Sequence, residues 1–335
     1  MKKLINDPDN VADELFEGFV LLNSDLVKQI GDVNAAARKD APIEGKVGIV
    51  IGGGSGHEPM FLEMIGPGMA DVSINGDIFA APPSKAILEA TKAADSGNGV
   101  LYIYGNYAGD NMNFDMASDL AEMEDINTET VRVWDDVASA DLENIDERRG
   151  IAGDLFVIKI AGAAADTGAD LKKVKKVVEK ARDNTRSIGV SLTSATIPST
   201  GKPTFEIAEE EMEIGMGLHG EPGVKRTKLK TAKETSELMA SKVLEDLPLK
   251  EKDEVLVLVN GLGSTTRMEL LIMYKELHNI LKDKNIKIYD AEVGNYCTTQ
   301  EMAGCSFTLV KLDDELKELY NKRADSPGYK FFSKE

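Results

Sequence analysis

Histidine is the side chain best suited to acid, base or nucleophilic chemistry near neutral pH, and this 335-residue chain has only three: His57, His219 and His278. His278 lies among charged residues in the middle of a predicted helix, which is typical of a solvated surface position. His57 and His219 instead lie in glycine-rich segments that follow apolar runs. These two histidines are therefore the candidates for chemistry.

His57 lies in the segment Gly52 to Pro59, which reads Gly-Gly-Gly-Ser-Gly-His-Glu-Pro. The segment follows the apolar run Val47 to Ile51, which predicts a buried parallel strand with the histidine at its carboxyl end, where open α/β sheets bind ligands. The glycines would let backbone N–H groups approach a ligand closely. Neither a dinucleotide fingerprint nor a Walker loop is present, so a nucleotide site is not indicated. A glycine-rich turn with an incidental histidine fits the spacing equally well.

Asp110 lies in the segment Asn106 to Phe114, after the apolar run Val100 to Tyr104. The carboxyl ends of parallel strands meet at one edge of a sheet, so Asp110 and His57 could converge on one ligand as a hydroxyl-binding, proton-accepting pair. The alternative is that Asp110 is only the N-cap of a helix that begins near Met112.

His219 lies in the segment Gly215 to Gly223, where four glycines and a proline end a predicted strand. Such a loop exposes the imidazole while the backbone packs closely around its ligand. An unprotonated imidazole nitrogen can add to an electrophilic carbonyl and form a hemiaminal, which would select ketones or aldehydes over alcohols. A histidine that merely caps a turn is the alternative.

Strands and helices alternate along the chain, which predicts an α/β fold of two domains with largely parallel or mixed sheets covered by helices. The domains are predicted as 1–187, with the His57 and Asp110 loops, and 188–335, with His219. Predicted strands are 47–51, 71–74, 100–104, 130–134, 156–160, 188–192, 211–218, 255–259, 286–289 and 306–311, and predicted helices are 11–29, 170–186, 232–244 and 268–283. The loop 259–266 precedes the helix 268–283, and either its main-chain amides hold an anion or it is a turn with a Ser or Thr N-cap. The acidic residues at 209–213 predict a solvated face.

The composition excludes several classes of partner. A net charge of -19 opposes direct binding to nucleic acid or to an anionic membrane. Cys297 and Cys305 have no metal-ligand spacing, so free thiols in a reducing compartment are expected. The N-terminus has no apolar signal region and no stretch is long enough for a membrane span, so a cytoplasmic location is expected.

The segments around His57, Asp110 and His219 together resemble those of a known family. This family comprises the substrate-binding subunit of bacterial phosphotransferase-dependent dihydroxyacetone kinase and the matching domain of ATP-dependent dihydroxyacetone kinases. The resemblance extends over nearly the whole chain. Its landmarks are the segments 52–59, 106–114, 148–153, 159–165, 211–223, 259–263 and 301–304.

The resemblance implies a homodimer that binds dihydroxyacetone or a similar short ketose and has no nucleotide or metal cofactor of its own. His219 would hold the ketone as a hemiaminal, and His57 and Asp110 would orient and deprotonate the attacking hydroxyl. A partner subunit would supply the nucleotide and metal ions. The substrate would be lined by Gly54, Ser55, Gly56, His57, Asp110 and His219.

The sequence departs from the family pattern at two places that bear on phosphoryl transfer rather than on ketone binding. Gly105 replaces a family lysine that touches the substrate, and the segment 60–63, Met-Phe-Leu-Glu, replaces a small and histidine-containing sequence. The loss of a cationic donor is expected to weaken oxygen binding or transition-state stabilisation by about 1 to 3 kcal/mol. The pattern also fits a second class: a non-catalytic dihydroxyacetone sensor that serves as co-activator of a DNA-binding transcription factor of the kinase operon.

Overall fold

A computed structural model describes residues 2–332 and divides the chain into two compact units, each built from separate parts of the sequence. Unit 1 contains the described residues up to Val133, Asp154–Ala181, and those from Leu316 onward. Unit 2 contains Trp134–Gly153 and Arg182–Glu315. This division differs from the single predicted boundary between 187 and 188, because the C-terminal segment packs in unit 1 and a short segment before Asp154 belongs to unit 2.

Unit 1 is built on a six-stranded mixed sheet, which agrees with the predicted fold class. The strand order is β1-β2-β4-β3-β5-β6, in which β4, β3, β5 and β6 pair in parallel and the other pairs are antiparallel. The strands are β1 (Val27–Gln29), β2 (Ala35–Arg38), β3 (Gly48–Ser55), β4 (Val72–Ile78), β5 (Val100–Gly105) and β6 (Thr128–Val133), and the helices are α1 (Val11–Leu22), α2 (Ser84–Ala94), α3 (Ala108–Glu122), α4 (Asp154–Ala165) and α5 (Leu171–Asp183).

The buried strands of unit 1 were predicted because they are short apolar runs. β3 and β5 are buried along their entire lengths, as expected for parallel strands covered on both faces. The predicted strand at 156–160 is wrong: these residues belong to α4, all twelve residues of which are buried. A helix that is buried all round shows no amphipathic period, so its sequence resembles that of a buried strand.

Unit 2 is also an α/β unit, with strand order β11-β10-β12-β7-β8-β9. Only β10 and β11 pair in parallel. Thr266 caps the second helix of this unit in a capping box with Glu269, as the Ser/Thr pattern predicted. Its strands are β7 (Thr185–Ser191), β8 (Glu211–Ile214), β9 (Lys225–Lys228), β10 (Glu254–Gly261), β11 (Lys287–Gly294) and β12 (Gly304–Leu312), its α-helices are α6 (Ala232–Asp246) and α7 (Arg267–Asp283), and a 3₁₀ helix spans Leu142–Glu147.

Several predictions about exposure can be checked in unit 2. His278 is exposed on α7, as predicted. Cys297 and Cys305 are both buried, and neither forms a disulfide bond. The predicted solvated acidic face is wrong at Glu213, which is 6% exposed and accepts a hydrogen bond from Arg226 Nε at 2.8 Å, because the pairing of β8 with β9 brings the two side chains together. None of the helices between residues 2 and 332 has the length and apolar character of a membrane span.

The segment Trp134–Gly153 is anchored in unit 2 by a buried arginine. Arg148 is 1% exposed, and its two terminal guanidinium nitrogens donate to the Asp246 carboxylate at 2.9 and 2.6 Å. Arg186 Nε donates to the same carboxylate. Bidentate pairing of this kind fixes geometry as well as charge, so it holds the residues next to Arg148 in place.

The C-terminal segment packs around a buried lysine of α4. The segment consists of α8 (Asp314–Tyr320) and the two-stranded hairpin β13 (Ala324–Asp325) and β14 (Lys330–Phe331). Lys159 is fully buried, with Nζ 3.4 Å from the Leu319 carbonyl and 5.8 Å from the centroid of the Phe331 ring. Burial lowers the pKa of Lys159 to about 8, although the charge of Asp166 opposes this change.

The substitution Lys159→Met is expected to stabilise the protein at neutral pH. The unfolded chain binds the lysine proton more tightly than the folded one, so the cost of the buried charge is present below pH 8 and is relieved as the pH rises toward 10.5. The shift in pKa corresponds to at most about 3 kcal/mol. The free energy of unfolding of the wild type should therefore approach that of the variant as the pH rises. Lys172→Met, at an exposed lysine of α5, is the control; a stability difference that does not change with pH would contradict the prediction.

Candidate functional site

The loop that carries His57 begins where β3 ends, at Ser55. Gly56 has a φ of 101°, a left-handed conformation that favours glycine, and its N–H donates to the Glu58 carboxylate at 2.9 Å. His57 is 2% exposed, and its ring stacks on Phe79 with the ring centroids 5.1 Å apart. Burial raises the pKa of Glu58, while the Gly56 N–H acts in the opposite direction.

Two glycines before His57 are required by close packing. A Cβ atom on Gly53 would lie 2.5 Å from the Phe61 ring, and one on Gly54 would lie 2.7 Å from the backbone nitrogen of Ala80. The next residue, Ser55, is buried and donates its hydroxyl to the Gly76 carbonyl at 2.7 Å. The glycine-rich sequence therefore lets the loop after β4 pack directly on the end of β3.

Asp110 lies in the first turn of α3, not at its N-cap as the alternative interpretation proposed. The helix begins at Ala108 rather than near Met112, so its N-cap is Tyr107. The Tyr107 side chain makes no capping hydrogen bond. Asp110 is 8% exposed. The N-terminal turn of a helix favours a negative charge, so this position supports an ionised carboxylate.

The structure brings the His57 and Asp110 loops to the same edge of the unit 1 sheet. They follow β3 and β5, which are neighbouring parallel strands. The loop after β4 contacts both: Phe79 stacks on His57, and Ala81 lies next to Gly109, with 3.3 Å between its Cβ and the position of a Cβ on that glycine. Gly105, where the resemblance led us to expect a lysine, is the buried last residue of β5 at this edge.

His219 lies in unit 2, in the loop that follows β8. Its Nδ1 lies 3.0 Å from Glu221 Oε1, and its backbone N–H donates to Glu221 Oε2 at 2.9 Å. Because an ionised carboxylate can only accept, the Nδ1 atom carries the hydrogen, and Nε2 is the ring nitrogen with the lone pair when the imidazole is neutral. Burial raises the pKa of Glu221, but the hydrogen bond and charge of His219 outweigh it and hold this pKa at about 2.

Arg149 holds the loop on which His219 lies. Its Nη2 donates to the Gly215 carbonyl at 2.9 Å and to Asp136 Oδ2 at 2.8 Å. Gly217 lies between the Arg149 guanidinium and the Glu221 carboxylate, and a side chain there would collide with both. Burial raises the pKa of Asp136 to about 6, although Arg149 acts to lower it.

Two further residues, Glu221 and Arg149, support the His219 loop but were not predicted from the sequence. Glu221 lies two residues after His219 within the segment that was singled out, and Arg149 lies in one of the family landmarks. The only signal in the sequence was therefore position: Glu221 is close to His219 along the chain, and Arg149 lies within the segment 148–153. Within residues 2–332 no group of three or more His, Cys, Asp or Glu side chains could hold a metal ion.

The sequence of this chain is similar to those of known proteins over nearly its whole length. The family model described as the Dak1 domain matches residues 17–328. The dihydroxyacetone-binding subunit of PTS-dependent dihydroxyacetone kinase 2 from Listeria innocua is 46% identical over 331 residues, which cover 98% of this chain and 99% of that protein.

Two solved structures are also similar. The dihydroxyacetone kinase of C. freundii has a TM-score of 0.88 and 29% identity; the match covers 98% of this chain and 60% of that one, so this chain spans less than two thirds of that kinase. A dihydroxyacetone kinase operon co-activator has a TM-score of 0.87 and 28% identity, with 94% of this chain and 96% of that chain covered.

The substitution Glu221→Ala is expected to change the tautomer of His219. The carboxylate selects the form with hydrogen on Nδ1, so its removal should increase the Nε2–H form. Long-range ¹H–¹⁵N spectra of ¹⁵N-histidine-labelled protein, recorded where imidazole is neutral, at about pH 8 to 9, distinguish the two forms. Glu209→Ala, at an exposed glutamate, should leave the spectrum of the wild type unchanged. An Nε2–H tautomer already dominant in the wild type would contradict the assignment.

Proposed function

The chain belongs to the Dak1 domain family, and from this premise we propose that it is the dihydroxyacetone-binding subunit of a phosphotransferase-system-dependent dihydroxyacetone kinase. The subunit captures the ketone covalently on His219 as a hemiaminal. The single observation that carries this proposal is the pairing of His219 Nδ1 with Glu221 at 3.0 Å.

The pairing suits nucleophilic addition because it fixes which ring nitrogen has the lone pair. Nε2 attacks the carbonyl carbon of dihydroxyacetone, a C–N bond forms, and the electron pair of the C=O π bond moves to the oxygen. The adduct is transiently an imidazolium, which the Glu221 carboxylate stabilises through Nδ1. Loss of the Nδ1 proton and protonation of the oxygen give a neutral hemiaminal, so the step needs no other reactant.

The residues of unit 1 act on the hydroxyl that receives the phosphoryl group. Phosphoryl transfer depends on positioning and electrostatics more than on covalent catalysis. Asp110, at the start of α3, and His57, stacked on Phe79, are rigidly held groups that can orient the hydroxyl and accept its proton. Gly54, Ser55 and Gly56 line the substrate, the nucleotide and metal ions come from a partner subunit, and the chain forms a cytoplasmic homodimer.

A second candidate function is that of a non-catalytic co-activator that senses dihydroxyacetone and binds a transcription factor. It is favoured by Gly105 in place of the family lysine and by the similarity to a dihydroxyacetone kinase operon co-activator over 94% of this chain. The identity of 46% to a kinase subunit over 98% of this chain favours the kinase function. The similar structures do not separate the two functions, since this chain has 29% identity to the kinase and 28% to the co-activator.

Covalent capture can be measured in solution with dihydroxyacetone labelled with ¹³C at the carbonyl. The wild type is expected to convert the trigonal carbonyl signal of the bound ligand to that of a tetrahedral carbon, and His219→Ala to abolish this signal because the nucleophile is lost. His278→Ala, at a surface histidine, is the control and should retain it. A tetrahedral signal that persists in His219→Ala, or its absence in the wild type, would reject the hemiaminal.

Turnover separates the two candidate functions. With the cognate nucleotide subunit and phosphoprotein, the wild type should phosphorylate dihydroxyacetone, and Asp110→Asn should lower kcat by about 10²-fold or more because a proton acceptor is lost. The tetrahedral ¹³C signal should persist in this variant. Intact ligand capture without any turnover in the wild type, together with a stable complex with a transcription factor, would favour the co-activator instead.

A further inference from the structure

The hydrophobic core of unit 2 contains a cavity of about 250 Å³ between the sheet and the helices α6 and α7. Four of the residues that line it are buried members of this core: Val190, Met212, Met273 and Cys305. Protein interiors are packed as densely as organic crystals, so spaces much larger than a water molecule are few. An engineered apolar cavity of about 150 Å³ binds benzene. The space in unit 2 is therefore large enough for a small ligand.

The cavity opens to solvent through apolar residues. Leu229, which lies between β9 and α6, and Ile272, on α7, also line the cavity, yet both are exposed. Because each borders both the cavity and the solvent, they mark its opening. Exposed apolar surface is common where a protein binds a ligand. A ligand can therefore pass from the surface into the core along apolar side chains.

Polar side chains in the wall are bonded to the protein itself. Thr265 Oγ1 accepts from the Gly304 N–H at 2.7 Å, and the Glu269 carboxylate accepts from the N–H and hydroxyl of Thr266 at 2.9 and 2.6 Å. Burial raises the pKa of Cys305 to about 12, and the charge of Glu269 acts in the same direction. The thiol is therefore uncharged at neutral pH and behaves as a small apolar group. The wall offers a ligand mainly apolar contacts.

The charges in the wall do not favour an ionised ligand. Among the described residues that line the cavity, only Lys230 and Glu269 are charged, and their charges are opposite. An anion that Lys230 attracts would be repelled by Glu269, and the reverse holds for a cation. An ionised group would also lose its hydration among apolar side chains. We propose that this cavity binds a small, uncharged, apolar molecule, such as a substituted aromatic ring.

The proposal goes beyond the kinase function and does not depend on it. Dihydroxyacetone carries two hydroxyl groups, for which this wall offers few partners, and an apolar ring has no carbonyl with which His219 could react. Binding to the cavity can therefore be measured without any ketone. A failure of ketone capture at His219 and a failure of binding at this cavity are separate results.

Methyl NMR of the full chain, labelled with ¹³C at the methionine methyl groups, tests the proposal with toluene as the probe. Met212 and Met273 line the cavity, whereas Met239 is buried in the same core but does not line it. Toluene should shift the signals of Met212 and Met273 saturably and leave that of Met239 unchanged. No shift of the first two signals, or equal shifts of all three, would overturn the proposal.

Benzoate and benzylammonium have sizes similar to that of toluene and carry opposite charges, so they test whether the ligand must be uncharged. Each should bind at least about tenfold more weakly than toluene, because the charged group must be desolvated. Either ion binding as tightly as toluene would overturn the proposal.

Two adjacent residues of α7 provide a matched pair of variants. Ile272 is 45% exposed and lines the cavity, whereas Leu271 is 46% exposed and does not. Ile272→Glu places a carboxylate at the opening and should raise the Kd of toluene about tenfold, while Leu271→Glu should leave it unchanged. An equal Kd in the wild type and Ile272→Glu would contradict the proposed site.

Filling the cavity provides a second test. Ala232→Phe, at the start of α6, places a ring in the space and should abolish the shifts of Met212 and Met273. Lys233→Phe adds the same ring at an exposed neighbouring position and should retain them. Thermal unfolding shows whether Ala232→Phe folds, and Ile272→Glu, at an exposed position, keeps the test decisive if it does not. Wild-type shifts in a folded Ala232→Phe protein would overturn the proposal.

Discussion

Close packing of bare backbone at the end of β3 is the constraint on which the candidate site of unit 1 depends. A side chain on Gly52, Gly53 or Gly54 would collide with β4, with Phe61 or with the loop that follows β4. A side chain on Gly76, in β4, would collide with the Ala80 backbone in the same way. Because these four residues have no side chains, the loop can pack across the strand ends and hold both the His57 ring and the start of α3. The glycines therefore position chemistry that they do not themselves perform.

Unit 2 uses the same principle for a different purpose. Gly215 has a φ of 75°, and a side chain on Gly217 would collide with both Arg149 and Glu221. Compact turns bring the Glu221 carboxylate back to the backbone and ring of His219. A surface loop can in this way fix one tautomer of an imidazole, because a single carboxylate accepts hydrogen bonds from both the backbone N–H and the ring Nδ1–H of His219. Arg149 then ties this loop to the segment that Arg148 anchors.

The sequence was sufficient to predict much of this arrangement because its signals are local. β3, β5, β10 and β12 are apolar runs, and the three candidate residues lie in glycine-rich or strand-end segments. The prediction failed where burial depends on tertiary packing: α4 was read as a strand because it is apolar on every face, and Glu213 was read as solvated although Arg226 pairs with it. The short strands β1 and β9 carry mostly exposed residues, so they give no apolar run. Likewise, the roles of Glu221 and Arg149 depend on hydrogen bonds that only a folded loop creates.

The two parts of the proposed chemistry depend on different parts of the chain. The proposal assigns ketone capture to His219, Glu221 and the Arg149-supported loop, all of which belong to unit 2. Activation of the hydroxyl is assigned to His57 and Asp110 in unit 1, and both departures from the family pattern, Gly105 and the segment 60–63, also lie there. Substitutions in unit 1 can therefore weaken phosphoryl transfer while the determinants of capture stay intact. This fold is shared by a dihydroxyacetone kinase and by a dihydroxyacetone kinase operon co-activator. Under the proposal, selection can act on the hydroxyl-activating residues without disturbing the carboxylate that fixes the imidazole.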